Sequence, residues 1–130
     1  MSSLVKIDPA TMALVRGLLD DKGALKPFVR EIMLIECHVA GTTHVAIKTV
    51  EPDLQPGALL HMKREPGNEH DRKAILIFDD QGRRIGYIPQ SKNEALANLM
   101  DAGKLLFGKL DGKQWKGSWL QVRVRVFMQD

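Results

Sequence analysis

The 130-residue sequence predicts one mainly β domain of the α+β class with two accessory helices. Three observations carry that expectation. The strongest apolar runs, Ile32-Met33-Leu34-Ile35 and Ala74-Ile75-Leu76-Ile77-Phe78, are short and bounded by turn formers, which suits strands better than helices. The C-terminal stretch Trp119 to Gln129 alternates apolar and polar residues over its whole length, the period of an extended chain. Helical spacing appears in only two places, Asp8 to Asp20 and Ser91 to Met100.

The first helix is expected from Asp8-Pro9, an acceptor at the N-cap followed by proline at N1, with Met12, Val15, Leu18 and Leu19 forming the apolar stripe as far as Asp20. Its expected role is to pack over an open end of the domain. Asp21-Lys22-Gly23 breaks it, and Pro27 discourages helix up to Val29. Arg30 to Val39 reads as a buried strand, and Gly41 as a bulge that bends its continuation. Val45, Ile47 and Thr49 read as an alternating strand, 51–57 as a loop, and Leu59 to Lys63 as the next strand.

Beyond a polar loop, Ala74 to Phe78 and Arg83 to Ile88 are expected to form a hairpin about Asp79-Asp80-Gln81-Gly82, whose carboxylates are read as solvated. Ser91-Lys92-Asn93-Glu94 has the form of a capping box ahead of Ala95, Leu96, Leu99 and Met100, and Gly103 ends that second helix. Lys104 to Leu110 is then a strand, Asp111-Gly112-Lys113 a turn, and Trp119 to Gln129 the last strand. On this strand Leu120, Val122, Val124, Val126 and Met128 share the core face. Trp119, Gln121, Arg123, Arg125 and Phe127 share the other, a mixture of aromatic and guanidinium groups able to stack on bases and meet phosphates. A solvated face whose arginines discourage edge pairing explains the same residues.

Composition excludes several classes. No apolar run has the length of a membrane span and the N-terminus lacks a signal peptide's apolar centre, so a cytoplasmic protein without membrane association is expected. Cys37 is the sole cysteine, set in an apolar run where an inert buried thiol is expected. The net charge is only +3, but residues 1–101 carry 13 Lys or Arg against 14 Asp or Glu, while 102–130 carry 6 against 2. The basic excess is confined to the last quarter of the chain and permits an anionic partner. His44, His61, His70 and Asp71 have no spacing typical of a metal site, and there is neither a nucleophile elbow nor a phosphate-binding glycine loop. No catalytic residue, metal or cofactor is expected.

The densest chemistry lies in Arg64-Glu65-Pro66-Gly67-Asn68-Glu69-His70-Asp71-Arg72-Lys73. Such a concentration of amide, imidazole, carboxylate and cationic groups marks a site or a tight turn in which Asn68 and Asp71 cap their own backbone. The pattern Arg64-Glu65-Pro66-x-Asn68-x-x-Asp71-x-x-Ala74-Ile75, then Gly82, then Ile85-Gly86-Tyr87-Ile88-Pro89, with Val39-Ala40-Gly41-Thr42 upstream, resembles the signature of the HIRAN domain. The resemblance runs from about Glu36 to the C-terminus. It implies a small OB-like or SH3-like β-barrel over 36–130, preceded by a helical extension and strand lead-in over 1–35. It also implies DNA binding, understood best in fork-remodelling ATPases, where the domain grips the 3′ end of a single strand.

Carried over residue by residue, the resemblance implies that Asn68 and Asp71 contact the terminal nucleotide, Asp71 accepting from a 3′-hydroxyl that an internal phosphodiester lacks. Gly67 stands where the characterised eukaryotic member has asparagine, and His70 where it has tyrosine. His44 takes the place of its stacking tyrosine and Gln90 that of a lysine, departures that should weaken binding. The candidate DNA contacts are therefore Asn68 and Asp71, His44 and His70 for stacking or sugar contact, and Arg64, Arg72, Arg123, Arg125 and Phe127 for phosphate and base. Arg64 and Tyr87 could instead hold the barrel together. The expected partner is single-stranded or frayed DNA, with a separate helicase or nuclease acting alongside in repair or fork processing. The alternative is a protein-interaction module whose basic strand face is incidental.

Overall fold

The computed structural model describes residues 30–42, 45 and 47–130, so the expected N-terminal helix and His44 lie outside the described residues. Six strands, β1 (Glu31–His38), β2 (Leu59–Arg64), β3 (Ile75–Phe78), β4 (Arg84–Tyr87), β5 (Leu105–Lys116) and β6 (Trp119–Gln129), form one antiparallel sheet in the order β1-β6-β5-β2-β3-β4. The sheet curls into a half-barrel. Its two outer strands are brought together by a bridge between Ala40 and Tyr87, each donating its amide to the other's carbonyl at 2.8 Å.

Alternation decides what faces inward. Leu120, Val122, Val124 and Val126 on β6 are at most 1% exposed, and Leu60, Ile75, Ile77, Ile85, Leu106 and Leu110 join them. Each such side chain contributes about 1.5–3 kcal/mol by leaving water, against ~0–1 kcal/mol for an exposed ion pair on the outer face. The inner face therefore holds the sheet, which leaves the outer face available for other work.

Six local expectations are corrected. β1 is a sheet edge with one neighbour, and Ile32 and Met33 are exposed rather than buried. The expected strand at 45–49 is a short helix, α1 (Ile47–Val50), running into a 3-10 turn at Glu51–Asp53. Ile47, Val50 and Leu54 are spaced i, i+3, i+7 and all are buried, so closing the barrel end fixes the helical period where the sequence also permitted alternation. Gly41 is no bulge within a strand: at φ +77°, which favours glycine, it turns the chain out of the sheet after Ala40.

The expected turn at Asp111-Gly112-Lys113 lies within β5, where the register shifts between Leu110 and Gly112 and pairing with β6 resumes as far as Lys116. The reversal comes instead at Gly117, with φ +63°. The expected capping box does not form. A 3-10 turn at Gln90–Lys92 leads into α2 (Asn93–Asp101), and no side chain caps its start. Pro89, extended at ψ 140°, sets this entry. Asn93 is buried and bonded elsewhere. Asp79 is buried too: its carboxylate accepts from the amides of Gln81 and Arg83 and from Arg83 Nε, so it shapes the hairpin it was expected to decorate. Gly103, at φ +93°, ends α2 as expected.

Candidate nucleic-acid interface

The polar loop leaves β2 at Arg64 and returns as β3 at Ile75, and its side chains hold it from within. Asn68 Oδ1 accepts from the amides of His70 at 2.9 Å and Asp71 at 3.0 Å, while its Nδ2 donates to Glu65 Oε1 at 2.7 Å. The same Glu65 oxygen accepts from the Tyr87 hydroxyl at 3.0 Å. Burial, and then this carboxylate neighbour, raises the Tyr87 pKa above its ordinary value. Asp71 Oδ1 accepts from the Lys73 amide at 2.9 Å and Oδ2 from Asn93 Nδ2 at 2.6 Å. These are side-chain turns of the kind Asn and Asp form readily, here tying the loop to the start of α2.

Arg64 is committed to the same task. Its side chain is 13% exposed and donates from Nε and Nη2 to Asp101, from Nη1 to the Ala74 carbonyl at 2.7 Å and from Nη2 to the Arg72 carbonyl at 2.9 Å. The guanidinium holds the Asp101 carboxyl below its ordinary value. Arg72 and His70 are exposed, and Lys73 reaches Asn98 Oδ1 at 2.7 Å.

Asn93 is 2% exposed and its amide group meets Asp71, so Asn93→Ala is expected to cost about 1–3 kcal/mol by removing a buried partner of a carboxylate. Thermal denaturation measures the loss. Faster hydrogen exchange at the Lys73 amide would locate it in the loop.

Beside this corner lies a concave, basic surface. Two adjoining hollows of about 570 and 360 Å³ share His38 and Arg123. Glu36, Cys37, Pro89, Ser91 and Lys92 complete the first, between β1 and the turn ahead of α2. Lys113, Gln114, Lys116 and Gln121 extend the second along the β5–β6 hairpin. Four Lys or Arg thus face one carboxylate, Glu36. Lys113 is held in place by the carboxylate and carbonyl of Glu51 at 3.0 and 2.7 Å. Cys37 lines the first hollow, and burial pushes its thiol up to about 11, which favours the protonated form.

A half-barrel whose outer strands are bridged through Ala40 and Tyr87, with the loop signature joining two of its strands, agrees with the family match: the HIRAN domain family model matches residues 32–129. The chain belongs to the HIRAN domain family. A crystal structure of a protein from Lactobacillus plantarum superposes with a TM-score of 0.74 at 25% identity, covering 79% of this chain and 99% of that one. The HIRAN domain of human HLTF superposes with a TM-score of 0.60 at 17% identity, covering 76% and 78%, a likeness of fold. No curated protein sequence matches the chain.

Within this HIRAN domain the expected site residues divide among three places. Asn68, His70, Asp71 and Arg72 lie on the loop, with Arg64 beneath it, and Arg123 lines the basic groove. Arg125 and Phe127 lie farther along β6. Arg125 is paired with Asp111 at 3.0 Å and Glu36 at 3.8 Å, and Phe127 stacks on Phe107 at 5.6 Å with Lys109 Nζ above the ring. His38, Lys92, Lys113 and Lys116 were not among the expected contacts. The basic C-terminal quarter was the only trace of Lys113 and Lys116 in the sequence, and His38 and Lys92 lie outside it. Among the described residues, no three His, Cys, Asp or Glu converge to hold a metal, and no helix is long and apolar enough to cross a membrane.

Proposed function

We propose that this HIRAN domain is a non-catalytic module that binds single-stranded or frayed DNA, accepts a 3′-hydroxyl end, and serves a separate helicase or nuclease in repair or fork processing. The observation that carries the reading is the pair of joined hollows, where four cations face one carboxylate. Their size suits a nucleotide-sized group, and a row of cations with interspersed amides suits a strand whose phosphates repeat while its bases vary.

In this reading Arg123, Lys92, Lys113 and Lys116 meet phosphates, and Gln114 and Gln121 reach base edges. His38 and His44 offer imidazole faces for stacking. Arg64 fixes the loop rather than meeting a phosphate, whereas Arg72 and His70 extend the contact along the rim, and Arg125 and Phe127 lie beyond its far end. Asn68 shapes the rim. Asp71 is the residue proposed to accept from the terminal hydroxyl, since two hydrogen bonds leave a carboxylate with acceptor capacity and Asp71 is only partly buried. One or two stacked bases at about 1–3 kcal/mol each, with a few phosphates, place the affinity near the micromolar range.

Fluorescence anisotropy with short labelled strands ending in a 3′-hydroxyl or a 3′-phosphate, across a salt series, tests this. Binding is expected to prefer the hydroxyl and to weaken with salt by a slope of about 0.7 per phosphate contacted. Asp71→Ala should abolish the preference. If both ends bind equally, or Asp71→Ala retains the discrimination, end recognition by this carboxylate is wrong. A chain that binds neither strand is not a DNA-binding module.

A further inference from the structure

The outer face of the sheet carries an apolar patch at the end away from the basic groove. The strand register sets Met33, Phe127, Phe107 and His61 in one row, with Leu105 on one side and Leu59 on the other. Leu105 is 58% exposed, Met33 49% and Leu59 40%. β2 and β5 pair only over Leu59–His61, and where they part a hollow of about 390 Å³ opens between Leu59, Leu105 and Phe107. That is the small end of ligand pockets, suited to one or two bulky apolar side chains rather than a cofactor. A contiguous apolar surface of this kind marks a place where something docks.

Charge at the rim selects among occupants. Each carboxylate there already has a partner: Glu31 accepts from Lys109 Nζ at 2.8 Å, Asp80 lies 2.9 Å from His61 Nε2, and Asp130 accepts from Arg30 at 2.8 Å. Lys63 lies two residues beyond His61 on the same face, and Lys104 immediately precedes Leu105. Both are exposed, and neither pairs with a carboxylate among the described residues. Arg30, and less strongly Lys104, holds the Asp130 carboxyl below its ordinary value, so even that charge is outnumbered. The apolar floor is thus flanked by cations without counter-charges. A second copy of the chain would bring the same matched carboxylates and the same two lysines, setting like against like.

We infer that the patch docks a short acidic segment of a partner protein, which presents a bulky aliphatic or aromatic side chain to the hollow and carboxylates to Lys63 and Lys104. The apolar side chain is the anchor, and the acidic flank supplies orientation and rejects basic segments. A surface this small gives a weak, transient contact, with a Kd of roughly 10–100 µM for an isolated peptide. The patch and the basic groove share no lining residue, so both can be occupied together and the docking does not depend on DNA binding.

Anisotropy of two labelled peptides mixed with the full chain tests it. In one peptide aspartates flank a leucine and a phenylalanine, and in the other lysines replace the aspartates. The acidic peptide is expected to bind several-fold more tightly, and to weaken as salt is added. Leu105→Ser should loosen it several-fold at unchanged melting temperature, and Lys63→Glu combined with Lys104→Glu should turn the preference toward the lysine peptide. In methyl spectra the acidic peptide should shift Leu59 and Leu105 while sparing Leu120 in the core. Equal binding of the two peptides, binding that survives Leu105→Ser, or binding of neither overturns the inference. So does a chain that self-associates in sedimentation and loses that association in Leu105→Ser, which assigns the patch to a second copy.

Discussion

Gly86→Ala is expected to destabilise the domain by about 3 kcal/mol and to lower its melting temperature by roughly 10–20 °C. Gly86 is buried in β4, and a Cβ there would run into the Ala40 carbonyl oxygen and Val39 Cγ1. Its φ of +154° adds to the constraint. One of the obstructing groups is backbone, so the clash cannot be relieved by turning a side chain. The carbonyl involved is the one that accepts from Tyr87, and relief requires separating the ends of β1 and β4. That would give up two hydrogen bonds worth about 0.5–1.5 kcal/mol each, in addition to the overpacking cost of about 1–3 kcal/mol. Gly67→Ala supplies the control, because nothing lies within 4 Å of a Cβ at that position, and it should change stability by less than about 0.5 kcal/mol. Equal melting temperatures for the two variants would show that the closure at Ala40 and Tyr87 contributes nothing to stability.

What the sequence discloses depends on how locally each feature is determined. β6 is legible because strict alternation over eleven residues admits one interpretation, and both its bounds and its core face follow. Ile47, Val50 and Leu54 are not. Val45, Ile47 and Thr49 satisfy a two-residue period while Ile47, Val50 and Leu54 satisfy a helical one, and the shape of the barrel end decides between them. β1 misleads for a related reason: four consecutive apolar residues imply burial on both faces, but Met33 lies on the outer face of the sheet, where Leu59 and Leu105 are exposed as well. Ser91 and Glu94 satisfy a capping pattern whose geometry Pro89 removes.

The loop around Asn68 and Asp71 is the most recognisable motif in the chain. Its hydrogen bonds nevertheless favour the bland reading for Asn68, which caps its own turn, and for Arg64, which joins the loop to Asp101. The basic groove escapes sequence reasoning because its cations come from three separate segments. Lys113, assigned to a turn, contributes only because β5 continues past the shift at Leu110.

Arg123→Glu is expected to weaken binding of a short single strand by roughly 10- to 100-fold, the equivalent of one charge-assisted contact worth about 1.5–3 kcal/mol. The choice of Arg123 over Arg125 follows from position. Arg123 borders both hollows, so a strand laid along them meets it at the midpoint, whereas Arg125 lines neither and is shared between Glu36 and Asp111. Arg125→Glu should therefore cost several-fold less. Asp111 gives the opposite sign, since it lies 3.4 Å from Arg123 Nε and competes with phosphate for that guanidinium. Asp111→Asn is expected to tighten binding several-fold. The pairs concerned are exposed on the arginine side and contribute about 0–1 kcal/mol each, so none of the three variants should alter thermal stability much, which separates loss of contact from loss of fold. Anisotropy across a salt series distinguishes these outcomes, because losing one phosphate contact lowers the slope by about 0.7 whatever the base sequence. If Arg123→Glu and Arg125→Glu weaken binding equally, the strand follows the outer face of β6 rather than the groove, and the aromatic pair Phe107 and Phe127 becomes its platform.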